Sequence, residues 1–90
     1  MILKDTSENM IIGSRRLVKF SNGYQASLVC EDNDAESWEL GILDINGKLE
    51  REHPLVTAVT KDFVISGLSD KDVAEYLDKI DALPTPLVTL

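Results

Sequence analysis

One histidine, one cysteine and sixteen acidic side chains are the residues of this chain with the types that do acid–base, nucleophilic or metal chemistry. A nucleophilic pair would have to join Cys30 to His53, with thiolate and imidazole in hydrogen-bond reach. Cys30 falls on a strand face that reads as core, where a cysteine is an inert small hydrophobe, and His53 stands before Pro54 in a loop, so the pair is set aside. Paired carboxylates carry little information in so acidic a chain. No glycine turn opens onto a helix in the manner of a phosphate-binding loop. Asp32, Asp34 and Glu36 alternate like the first ligands of a calcium loop. The match ends at Ser37, where glycine is required, and at Leu43, where a bidentate glutamate is required. A single His and a single Cys give zinc no ligand set. The expectation is a non-enzymatic protein with no catalytic residues, no metal and no cofactor.

Charge is the stronger signal. The formal net charge is −7 over 90 residues. It is unevenly placed: Lys4, Arg15, Arg16 and Lys19 outweigh Asp5 and Glu8 in the first twenty residues, and acids dominate the remainder. Most of such a surface repels phosphates. The expected partner is therefore a protein, and a basic one. It would meet Asp72, Glu75, Asp78 and Asp81 on the outer side of a helix, offset only by Lys71 and Lys79, with Asp32, Asp34 and Glu36 in a polar loop. The bland counterpart is that these charges only keep the chain soluble. The alternative function is direct nucleic-acid contact through Arg15, Arg16 and Lys19, with Phe20 and Tyr24 stacking bases. Against it, the aromatics fall on the face needed for the core, and Arg15 and Arg16 point to opposite sides of a strand. No apolar run is long enough to span a bilayer, and the N-terminus lacks a basic region followed by a long apolar stretch. Neither a membrane partner nor a secretory signal is expected. A lone cysteine cannot form an intramolecular disulfide, which fits a reducing cytoplasm.

The elements that position these residues read most clearly at the C-terminal end. Ser69 is an N-cap, Asp72 completes a capping box at N3, and Leu68 and Val73 have the spacing of a hydrophobic staple. Val73, Leu77 and Ile80 form an apolar stripe, with Tyr76 at its edge, and Pro84 stops the helix. Upstream, residues 15–20 suit a strand with Val18 and Phe20 on one face and Leu17 and Lys19 on the other. Asn22-Gly23 predicts a tight primed hairpin turn, and residues 24–31 alternate with Tyr24, Ala26, Leu28 and Cys30 inward. Trp38, Leu40 and Ile42 share a face in the next strand. A second Asn-Gly, Asn46-Gly47, returns the chain through 48–52, and a two-residue turn sets Asp44 against Leu49 and Ile42 against Arg51. His53-Pro54 breaks that strand. Residues 55–60 are β-prone, and Phe63, Val64 and Ile65 are expected to feed the core.

The pattern Phe20-x-Asn22-Gly23-Tyr24-x-Ala26-Ser27, Trp38-Glu39-Leu40-x-Ile42-Leu43, Gly47-x-Leu49, Val59-Thr60-x-Asp62 and Gly67-Leu68-Ser69-x-x-x-Val73 resembles a group of small uncharacterised proteins of tailed phages and prophages. The resemblance covers residues 17–83 and rests on turn and cap motifs, so it carries over no catalytic residue. It implies a protein acting in the cytoplasm of an infected bacterium, and, by analogy of class, a modulator or inhibitor of a host protein.

Together these readings predict one small α+β domain. An antiparallel sheet of three to four strands occupies 15–52, residues 1–14 form an arm, 53–68 a connection, 69–83 one helix packed on one sheet face, and 84–90 a tail. Tyr24, Ala26, Leu28, Trp38, Leu40, Ile42, Val73, Leu77 and Ile80 form the expected core. The tail is also expected to suit a homodimer, by adding a strand to a second subunit's sheet. A small oligomeric structural component is the remaining alternative.

Overall fold

The computed structural model describes residues 1–9, 13–30 and 37–85. The 10–12 run, the loop bearing Asp32, Asp34 and Glu36, and the tail from Pro86 onward lie outside the described residues. The chain forms β1 (Ile2–Asn9), β2 (Ser14–Phe20), β3 (Gln25–Cys30), β4 (Trp38–Leu43), a one-turn helix α1 (Pro54–Thr57), β5 (Ile65–Leu68) and α2 (Asp70–Asp81). The strands make one five-stranded antiparallel meander in chain order, and α2 packs on one face of it. This is the expected α+β fold with a larger sheet. The expected arm contributes β1, and the expected connection contributes β5. Among the described residues no helix is long and apolar enough to cross a membrane.

Both Asn-Gly turns differ from the primed two-residue form. Phe20 N–H donates to the Tyr24 carbonyl at 3.0 Å and Gly23 N–H to the Phe20 carbonyl at 3.1 Å; Asp44 and Lys48, and Gly47 and Asp44, repeat the pattern at 2.8 and 3.0 Å. Each is a three-residue loop in which only the glycine is left-handed, with φ of +97° at Gly23 and +79° at Gly47. The extra residue moves the second hairpin by one. Leu49 bridges to Leu43, not to Asp44, and therefore faces away from the helix. It packs over Gly41, where an added Cβ would meet the Leu49 Cδ1 at 3.0 Å. The predicted return strand 48–52 shrinks to that single bridge.

The helix-side face of the sheet holds Val18, Phe20, Ala26, Leu28, Leu40, Ile42, Ile65 and Leu68, closed by Val73, Leu77 and Ile80 of α2 and by Val56 of α1. Burial of these apolar side chains is the main favourable term in a domain this small. Tyr24 and Trp38, expected inside, are partly buried at its margin. Phe63, also expected to feed the core, is 49 % exposed and lies under the Arg51 guanidinium. Residues 61–64 approach β5 as a bend; Ile65 enters the core, whereas Val64, also expected there, packs over Gly41 beside Leu49.

Both ends of α2 are fastened. Ser69 Oγ accepts the Asp72 N–H and Asp72 accepts the Ser69 N–H, each at 3.1 Å, which is the predicted capping box. At the other end, the buried Asn22 side chain donates Nδ2–H to the Ile80 carbonyl at 2.8 Å and the Leu83 carbonyl at 3.0 Å. Its Oδ1 accepts the Tyr24 N–H at 3.0 Å. One turn residue thus adds donors at the helix terminus, where the Ile80 carbonyl also accepts the Leu83 N–H at 3.1 Å.

Candidate functional site

The helix acids divide by what they touch. Asp72 is held in the capping box, and the Ser69 backbone N–H keeps its carboxyl below the usual carboxylate range. Asp81 pairs with the Met1 amino group. Asp70 accepts the Trp38 indole N–H at 2.8 Å, a contact that pins the start of α2 to β4. Glu75 and Asp78 are different: both are exposed, and neither carboxylate has a hydrogen bond or ion pair among the described residues. Three residues apart, they share the outer ridge of the helix with Lys71. Lys79 turns toward Tyr76, its ammonium 5.1 Å from the ring centre. The expected acidic face therefore reduces, among the described residues, to Glu75 and Asp78 flanked by two lysines.

The three cations proposed for nucleic acid do not converge. Arg16 lies on the helix side of the sheet and makes a two-pronged ion pair with Asp5, Nε to Oδ1 at 2.8 Å and Nη2 to Oδ2 at 2.6 Å. That hydrogen-bonded partner holds the Asp5 carboxyl below its ordinary range and raises Arg16 further. The pair floors a cleft of about 470 Å³ completed by Ser7, Ser14, Arg15 and Trp38. Arg15 and Lys19 project from the opposite, open face, where Lys19 stands across from Lys4 and Arg15 across from Glu8. Phe20 is buried and Tyr24 packs against the core, so neither aromatic expected to stack bases stands on the open face with these cations.

Cys30 and His53 sit at opposite ends of β3. His53 meets Tyr24 edge-on, ring centres 5.4 Å apart, while Cys30 is buried six residues along the strand, roughly 20 Å away by the strand rise. His53 has a structural task. Its Nδ1 accepts the Leu55 N–H at 3.2 Å and caps α1, and burial pushes its pKa below the usual 6.5. Among the described residues no group of three or more His, Cys, Asp or Glu side chains is placed to hold a metal ion.

Sequence reasoning missed two of these arrangements. Asn22 reads only as a turn residue, since nothing local announces a partner 58 residues away. The Asp5–Arg16 pair was hidden because residues 1–9 show no apolar alternation. The available signal was their alternating charge against Arg15, Arg16 and Lys19 across the glycine at position 13. The chain matches no protein-family model, no curated protein and no solved structure.

Proposed function

We propose that the chain is a non-enzymatic binding protein that docks on a basic protein through the outer ridge of α2, centred on Glu75 and Asp78. The supporting observation is the division of the helix acids: Asp70, Asp72 and Asp81 are engaged within the fold, and these two are not. They stand on a helix capped at its N-terminus and held by Asn22 at its C-terminus, so little backbone ordering remains to oppose binding. The net charge of −7 would attract a basic partner and speed encounter. The resemblance to small phage and prophage proteins adds a bacterial host protein as the class of partner, its modulation or inhibition as the outcome, and the host cytoplasm as the place.

The test is affinity capture from a bacterial lysate on the wild-type chain and on the Glu75→Lys/Asp78→Lys chain. A partner held by the first, released by salt and lost by the second supports the reading. Equal capture by both overturns it. Titration of single- and double-stranded DNA at low salt is expected to give no binding, because the open-face cations are few and Phe20 and Tyr24 belong to the core side.

A further inference from the structure

β1 is an eight-residue strand at the edge of the sheet, and among the described residues nothing pairs with its outer side. Phe20 directs both its N–H and its C=O into the β2–β3 loop. By the alternation of an antiparallel ladder, Val18 and Arg16 also face β3, while Lys19, Leu17 and Arg15 face β1. Their partners Lys4, Thr6 and Glu8 therefore bond inward, which leaves the N–H and C=O of Asp5 and Ser7 directed at the open edge.

We infer that this edge pairs with a second copy of the chain, β1 against β1 in antiparallel fashion, about a two-fold axis at Thr6. In that register Asp5 and Ser7 of each copy exchange backbone hydrogen bonds with Ser7 and Asp5 of the other. Lys4 faces Glu8 of the second copy, and Glu8 faces its Lys4, at non-hydrogen-bonded positions where side chains approach most closely. Charge selects this register from its neighbours. Moving the axis to Asp5 sets Asp5 against itself, and moving it to Ser7 leaves Glu8 opposite a threonine. Within one chain Lys4 stands across from Lys19, a like-charged pair, and has no carboxylate partner among the described residues. A second copy supplies that carboxylate. Charges on an edge strand ordinarily deter pairing; these are self-complementary, so they deter foreign strands and admit the chain's own.

The interface is distinct from the α2 ridge, so either proposal can fail alone. Sedimentation of the wild-type chain should give twice the 10.0 kDa chain mass, with a fraction that rises with concentration. Lys4→Glu should give the monomer, with unchanged circular dichroism. Lys4→Glu/Glu8→Lys restores opposite charges across the axis and should restore the dimer. A wild-type monomer at concentrations up to about 1 mM overturns the inference. So does a dimer that survives Lys4→Glu, or a charge-swapped chain that stays monomeric.

Discussion

Asn22 joins the two layers of the fold with one side chain. Its amide nitrogen reaches the Ile80 and Leu83 carbonyls while its oxygen takes the Tyr24 N–H. Asn22→Ala is therefore expected to cost about 2 kcal/mol, because three hydrogen bonds are lost together and the Leu83 carbonyl and the Tyr24 N–H lose the Asn22 side chain as partner. Asn22→Asp should cost more, since it places a carboxylate against two carbonyl oxygens; urea unfolding of the three chains reads the order. His53 adds a pH dependence. Its imidazole is neutral and accepting in the fold, with a pKa below the unfolded 6.5. Its contribution is thus present above pH 6.5 and is lost as pH falls through the folded pKa, where the unfolded chain binds the proton more readily. An NMR titration of the imidazole should show a midpoint below 6.5, and the Leu55 amide resonance should move with it.

At the scale of elements, α2 was the most legible part of the sequence. Cap, stripe and stop are encoded in the sixteen adjacent residues 69–84, and each acts locally, so the helix over 70–81 follows from its own sequence. Ser69→Ala is expected to lose about 1 kcal/mol by thermal or urea unfolding. The hairpins were legible in place but not in register. An Asn-Gly pair fits both a two-residue and a three-residue loop, and the choice depends on twist and packing across the strands. Here that choice turned Leu49 to the opposite face, over Gly41. β1 was illegible for a different reason: all its residues with described side chains are exposed, so no apolar period marks it as a strand. β5 is short, and two of its four residues are exposed.

At the scale of the whole molecule, the excess of acid was plain in the sequence, but its use was not. Whether a carboxylate caps a helix, receives an indole N–H or faces water depends on contacts between distant segments, as with Asp70 and Trp38, 32 residues apart. The sheet and helix sort the helix acids into engaged and outward-facing groups, and the functional reading rests on the outward pair. The most direct test is paired capture from a bacterial lysate on the wild-type chain and the Glu75→Lys/Asp78→Lys chain, with bound proteins quantified by mass spectrometry across a salt series. The account predicts a basic protein enriched on the wild type, weakened as salt rises, and lost on the charge-reversed chain. The same protein retained equally by both chains would contradict it.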